Sequence, residues 1–180
     1  MTNTPAPFAW NYCPVCGGAL DYRDDGESPR PNCAVCQRFY YSNPVPAACC
    51  FVSDGDTLLF VQRAVEPCKG LWTFPGGFVE LGETTEEAAL RELEEETHVR
   101  GYGAHLFGAS TQQSRLSGAV IVMGYWVERW EGVARPASDA MDAGFFGPAD
   151  RPPLAFQAHT ELLALYDALF DPLKTGRTPI

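Results

Sequence analysis

The stretch GGFVELGETTEEAALRELEEETHV, Gly76 to Val99, decides how the rest of the chain is read. It opens on a double glycine, crosses a short acidic turn and enters a run free of glycine and proline from Thr85 to Thr97. Ala, Leu, Glu and Arg dominate that run, and all four are good helix formers. Thr84 followed three residues later by Glu87 is a capping box, so the helix is expected to start just after Thr84. Ala89, Leu90 and Leu93 make one apolar stripe at helical spacing. Glu92, Glu95 and Glu96 share a second face, where like charges repel and the helix dipole is already negative. Arg91 alone cannot neutralise Glu92, Glu94, Glu95 and Glu96. Either water solvates this face or a hard divalent cation, which takes carboxylate oxygens and shares them with phosphate, supplies the missing charge.

Read residue by residue, the stretch resembles the Nudix box: Gly, five residues, Glu, seven residues, then Arg-Glu-aliphatic-any-Glu-Glu-any-Gly-aliphatic. Gly77, Glu83, Arg91, Glu92, Leu93, Glu95, Glu96 and Val99 fill it in register. One position departs, because His98 stands where the box has its second glycine. That glycine is expected to be a left-handed C-cap, a conformation histidine tolerates less comfortably.

Outside the box, the composition narrows the functional classes. The chain has 180 residues, 46% of them hydrophobic, enough for a core and a small appendage. Its net charge of −10 disfavours sequence-independent binding to nucleic-acid phosphates. A phosphate-bearing small molecule stays open, since divalent ions bridge two negative partners. No apolar run approaches the ~20 residues of a membrane helix, so no membrane association is expected. The opening MTNTPAPFAWNYC lacks the basic and apolar regions of a secretory signal, and a cytoplasmic protein is expected.

Four of the seven cysteines, Cys13, Cys16, Cys33 and Cys36, form C-x2-C-x16-C-x2-C. This spacing suits a four-thiolate zinc site, and Pro14, Gly17 and Gly18 suit its tight turns. Four thiolates leave no open position for water, so such a zinc is structural. Two disulfides are the alternative, disfavoured by the three remaining cysteines. Cys49, Cys50 and Cys68 read as buried apolar groups.

In chain order, residues 1–42 read as a zinc ribbon given apolar mass by Tyr12, Tyr22, Phe39, Tyr40 and Tyr41. Residues 42–46 (SNPVP) read as a stiff joint. AACCFVS and TLLFVQRA, around Asp54-Gly55-Asp56, read as an antiparallel hairpin. LWTFPGGFVE reads as one short strand. Val99 to Thr111 is expected to be a twisted strand and Gln112 to Ser117 a polar loop. Ala119 to Trp130 reads as a long strand, AGFFG as a short one, and Gln157 to Phe170 as an amphipathic helix. The expected organisation is a ribbon at 1–42, a hydrolase domain at 43–172 and a tail at 173–180, in the α+β class.

CPxCGG, the second CxxC, NPxP, QRA, GLWxFPGGFVE, the box, FF and PLAF before a helix together resemble Nudix hydrolases with an N-terminal zinc ribbon. The resemblance implies a mixed sheet between helices and metal-dependent hydrolysis of a nucleoside diphosphate linked to another group. It implies Glu92, Glu95, Glu96 and the Gly76 carbonyl as ligands of Mg²⁺ or Mn²⁺, with Arg91 bracing Glu83. The catalytic set it implies is Glu83, Arg91, Glu95 and Glu96. The general base is Glu95 or Glu96, or a later carboxylate among Glu128, Glu131, Asp139 and Asp142. Arg63 meets a phosphate or a surface ion pair. Phe74, with Trp72 and Phe146, stacks a nucleobase or belongs to the core. The histidines show no ligand spacing. Where NADH pyrophosphatases carry an SQPWW-like stretch, this chain has STQQSRL, Ser110 to Leu116. ADP-ribose or FAD is therefore the expected substrate, with NADH hydrolysis or a non-catalytic nucleotide sensor as the alternatives. A nucleotide is the expected partner, and a homodimer is admitted.

Overall fold

The computed structural model describes residues 10–114 and 118–170, so the expected tail at 173–180 lies outside the described residues. The chain separates into two compact units, Met1–Pro44 with Gln113–Ala119, and Val45–Gln112 with Val120–Ile180.

The first unit carries a three-stranded antiparallel sheet, β1 (Asp21–Asp24), β2 (Pro29–Cys33) and β3 (Arg38–Phe39), in that order. Its β1–β2 turn is made by side chains mimicking backbone. Asp24 accepts the Gly26 N–H at 2.7 Å, and Asp25 accepts those of Glu27 and Ser28 at 3.0 and 2.9 Å. The Ser28 and Glu27 amides hold the Asp25 carboxyl below its ordinary range. These two carboxylates are therefore turn formers rather than a free acidic surface. The expected apolar mass is not buried: Tyr12, Tyr22 and Tyr41 are 68%, 63% and 52% exposed. So little burial cannot hold a module of this size together, and the cysteines must do it.

The second unit is built on β4 (Val45–Phe51). Both of its faces are buried, so its residues alternate between two cores. Ala48 and Cys50, followed by Val52, meet Ala88, Ala89 and Leu93 of helix α1 (Thr85–Thr97). Ala47, Cys49 and Phe51 meet Phe60, Phe74 and the Ala158 and Leu162 side chains of helix α2 (Gln157–Phe170). Full burial of one such leucine, as at Leu93, stabilises by about 1.5–3 kcal/mol. The strand belongs to a mixed sheet ordered β8-β4-β10-β9, where β8 is Gly76–Phe78, β9 Arg100–Ser114 and β10 Gly118–Glu131. β4 runs parallel to β10, with Ala47 beside Val122, and antiparallel to β8. A second sheet orders β11 (Ala140–Phe146), β6 (Thr57–Arg63) and β5 (Ser53–Asp54), with β7 (Trp72–Thr73) also on β6. The mixed sheet lies between two helices, as the resemblance implied. Among the described residues no helix is long and apolar enough to cross a membrane.

The helices and the longer strands stand where the sequence placed them; four other readings do not. AACCF does not pair with TLLFVQR: the hairpin around Gly55-Asp56 is only Ser53–Asp54 against Thr57–Leu58. A strand with two apolar faces belongs in the middle of a sheet, so β4 takes β8 and β10 as neighbours instead. LWTFPGGFVE is two strands, β7 and β8, split at Phe74-Pro75, because Pro75 cannot donate to a ladder and the chain changes sheets there. Gln112 to Ser114 continue β9 rather than starting a loop, and residues 115–117 lie outside the described residues. Pro46, expected in a joint, is in β4 opposite Ile121.

Candidate active site

Helix α1 begins as its capping box requires. Thr84 Oγ1 accepts the Glu87 N–H at 3.2 Å, and the Glu87 carboxylate accepts the Thr84 N–H at 2.7 Å. It ends at His98, which adopts φ 58° and ψ 13°, the left-handed cap conformation, and donates its N–H to the Glu94 carbonyl at 2.9 Å. The other late carbonyls are capped from the chain before β11. Ala137 and Arg135 donate their N–H groups to the Glu96 and Thr97 carbonyls, each at 3.0 Å. No basic residue occupies the last turn, so the carboxylates there face an uncompensated dipole.

The double glycine lets this face of α1 approach the sheet. A Cβ on Gly76 would overlap the Ala48 carbonyl, and one on Gly77 would overlap the Glu92 carboxylate. The Gly76 N–H reaches Glu96 Oε2 at 2.9 Å. Glu96 is 5% exposed, and burial drives its carboxyl up to about 9, helped by the nearby Asp139 and Glu92 carboxylates. Burial likewise raises Glu92.

Arg91 uses all five of its N–H donors. Nε and Nη2 grip Glu83 at 3.0 and 2.8 Å, and Nη2 also reaches the Phe78 carbonyl at 3.1 Å. Nη1 reaches Glu92 at 2.9 Å and Glu95 at 3.1 Å. The fork lowers the Glu83 carboxyl to about 2 and raises Arg91 further. Arg91 thus ties the acidic turn to the helix and joins Glu92 to Glu95 through one nitrogen. Among the described residues, only the four cysteines place three or more ligand atoms within 4.8 Å of one another. The donor set around Glu96 nevertheless suits a hard cation: oxygens only, one carboxyl buried, and more negative charge than Arg91 offsets.

The structure separates the later carboxylates that sequence left equivalent. Asp139 lies beside Glu96 and Glu92, raising both. The Ala64 N–H donates to its carbonyl at 2.7 Å, and Ser138 before it takes φ 54°. Glu128 pairs with His105 at 3.5 Å, Glu131 accepts the Tyr102 hydroxyl at 2.5 Å, and Asp142 accepts the Ala143 N–H at 2.8 Å. Arg63 pairs in the ladder with Ala140, next to Asp139. Its Nε donates to the Pro67 carbonyl at 2.8 Å, and its guanidinium lies 5.0 Å from the Phe156 ring. Phe74 is fully buried, stacked on Phe51 at 3.7 Å and near Phe60 at 4.6 Å, so its ring has no open face for a base. Trp72 and Phe146 pack edge to face at 4.9 Å.

His159, to which the sequence assigns no role, is buried against Thr73 and Phe74. Its Nδ1 accepts the Phe74 N–H at 3.2 Å and stands 2.7 Å from the Thr73 hydroxyl. Burial lowers it to about 4, which keeps the ring neutral as an acceptor. Nothing in the sequence near His159 signals this, because its partner lies 85 residues away.

In the first unit the four sulfurs converge by local turns. Gly17, at φ 73°, and Gln37, at φ 52°, occupy the same place after Cys13 and Cys33. The Gly17 N–H donates to the Cys13 carbonyl at 2.9 Å, and the Cys36 N–H to Cys33 Sγ at 3.3 Å. Sequence also missed the Tyr40 hydroxyl, 3.0 Å from Cys13 Sγ, which lowers that thiol to about 6. Four sulfurs in a shell this tight fit a tetrahedral soft-ligand ion. Cys49 and Cys50 are buried apolar groups as expected, and burial pushes both thiols up.

A sequence profile described as the NUDIX domain matches residues 43–166. The chain is 34% identical over 127 residues to an ADP-ribose pyrophosphatase of Methanocaldococcus jannaschii, covering 70% of this chain and 75% of that protein. It is 29% identical over 145 residues to the NAD-capped RNA hydrolase NudC of Vibrio cholerae, covering 80% of this chain and 52% of that one. The chain therefore spans about half the length of that relative. Its fold is similar to that of a NUDIX hydrolase from Nitrosomonas europaea, with a TM-score of 0.73, 26% identity, and 87% and 91% of the two chains covered. The box in register, the sheet between two helices and the profile match over most of the length agree: this chain belongs to the Nudix hydrolase family.

Proposed function

We propose that this protein hydrolyses the diphosphate linkage of a nucleoside diphosphate joined to a second group, releasing a nucleoside monophosphate, with ADP-ribose or FAD as substrate. The observation that carries the reading is the Glu96 carboxyl, buried against the Gly76 N–H with Glu92 and Asp139 beside it. So buried a carboxyl keeps its proton until a cation supplies the counter-charge to ionise it, which a solvated helix face would not require. Glu92, Glu95, Glu96 and the Gly76 carbonyl would hold Mg²⁺ or Mn²⁺. When bound, such an ion neutralises the diphosphate and acidifies water.

The chain's own residues divide the remaining work. Glu83 and Arg91 form a locked brace that sets the acidic turn on the helix. Glu95, 53% exposed at its side chain, is free to leave Arg91 when a stronger cation arrives. Asp139 is the later-loop carboxylate placed to take a proton near Glu96, ahead of Glu95. Arg63, one ladder position from Asp139, meets a substrate phosphate through its Nη groups. Phe74 supports the loop from within the core. In the first unit, Cys13, Cys16, Cys33 and Cys36 hold a structural Zn²⁺.

The similarity to a protein named ADP-ribose pyrophosphatase supports ADP-ribose, and that to NudC keeps NADH as the second reading. Release of AMP from ADP-ribose, FAD and NADH, each with Mg²⁺ and with Mn²⁺, tests both. Turnover of ADP-ribose or FAD above that of NADH is expected. Tight binding of all three without cleavage would make the protein a sensor, and NADH preferred over both would reverse the substrate assignment.

A further inference from the structure

The cysteine cluster sets each of its two more accessible sulfurs against a buried one. Sulfur contacts run between the two knuckles: Cys13 to Cys36 at 3.8 Å and Cys16 to Cys33 at 3.6 Å. Each contact joins a buried thiol to a more accessible one. Cys13 and Cys33 are 2% and 0% exposed, whereas Cys16 is exposed and Cys36 half-buried. An accessible sulfur with a buried sulfur in contact is the arrangement needed for attack on an oxidant followed by internal resolution.

We infer that the cluster is a redox-modification site, in which a hydroperoxide converts the four thiols into two disulfides, Cys16–Cys33 and Cys13–Cys36, and releases the zinc. The Cys16 thiolate attacks the peroxide O–O bond, taking one oxygen as a sulfenic acid while the alkoxide, or hydroxide from hydrogen peroxide, departs and takes a proton from solvent. The Cys33 thiolate then attacks the Cys16 sulfur; the S–S bond forms as the sulfenic hydroxyl leaves, and a second solvent proton makes it water. Two electrons pass from the sulfur pair to one peroxide. Cys36 and Cys13 repeat the sequence with a second peroxide, and the ion is left without ligands. The crosslinks close spans of 17 and 23 residues between the knuckles, replacing the constraint the ion supplied.

The test uses zinc-loaded full-length protein carrying Cys68→Ser, which removes the remaining half-buried thiol, treated with hydrogen peroxide in the absence of nucleotide. Zinc release is followed with a chromogenic chelator, thiols by titration, and crosslinks by peptide mapping without reduction. The expected result is loss of four thiols with release of the bound zinc, links between 13 and 36 and between 16 and 33, and full reversal by dithiothreitol. In Cys16→Ser the 13–36 link still forms. Links within a knuckle, 13 to 16 or 33 to 36, would overturn the inference. So would sulfinic acids in place of disulfides, or zinc retained at peroxide levels that oxidise free cysteine. None of these readouts depends on nucleotide hydrolysis, so the inference and the catalytic reading stand or fall separately.

Discussion

Two clusters of candidate metal ligands in this chain are built on opposite plans. The cysteine cluster is assembled by short-range turns: two knuckles repeat one local conformation and bring four sulfurs within 4.8 Å. The glutamate cluster is assembled at long range, by a glycine strand, one turn of helix and a segment some forty residues further on, and Arg91 bonds Glu92 and Glu95 within it. The first suits an ion that stays, because four soft ligands close the shell. The second suits an ion shared with a substrate, since its ligands are spread and partly exposed and one ion pair must be exchanged on binding. Ligands that converge beforehand suit a structural ion, and ligands that stay spread suit an ion shared with substrate.

The comparison can be broken most severely at the cysteines. Stripping zinc under reducing conditions is expected to unfold the first unit, since structural zinc contributes on the order of 10 kcal/mol to folding of modules this small. Amide exchange over residues 10–44 would read this, while the Mg²⁺ dependence of turnover is expected to keep its midpoint. A coupled shift in that midpoint would mean the two sites are not independent.

Next comes Glu96. Glu96→Gln preserves size but removes the carboxyl that a bound cation would ionise, and kcat should fall about 10²–10³-fold with Mg²⁺ saturating only at higher concentration. Unchanged turnover would end the assignment of this face as the reacting site.

His159 sharpens the same side of the comparison, because it holds Thr73 and Phe74, just ahead of Gly76 in the chain. Its ring is depressed to about 4 in the folded chain, against an unfolded value near 6.5. Between those values the unfolded chain binds more protons, so the contribution is whole above about pH 6.5 and is lost as pH falls toward 4. The loss should be on the order of 3 kcal/mol, read from urea midpoints across that window. His159→Gln, which retains an acceptor for the Phe74 N–H, should flatten the slope.

The smallest effect is expected at the helix end. His98 holds a left-handed conformation that glycine adopts freely. His98→Gly should raise stability by about 1 kcal/mol, seen as a small rise in Tm, without altering turnover. A fall in kcat would show that the imidazole takes part in the chemistry.

Much of the candidate site was legible because its signals are local. The capping box, the αL residue after the helix, the Glu face and the CxxC pairs all depend on spacings of two to four residues, which backbone geometry translates directly into position. The strand connections were less legible. AACCF and TLLFVQR look like hairpin partners, and nothing within either run says that the first is central to another sheet. Trp72 to Phe78 reads as one extended piece until the sheets on either side of Pro75 are known. Tyr40 and Asp139 give the same lesson at the two clusters: an ordinary tyrosine and one acidic residue among four acquire roles only through what they meet.

Sequence alone determined the family, the helix that carries the acidic residues and the four sulfurs, since each rests on a periodicity or a spacing within one segment. Tertiary structure decided that Phe74 is core, that Asp139 rather than Glu128, Glu131 or Asp142 stands by Glu96, and that Arg91 is shared among Glu83, Glu92 and Glu95. Those outcomes depend on contacts between segments distant in the chain and on burial, which shifts a carboxyl or an imidazole by amounts that no local pattern encodes.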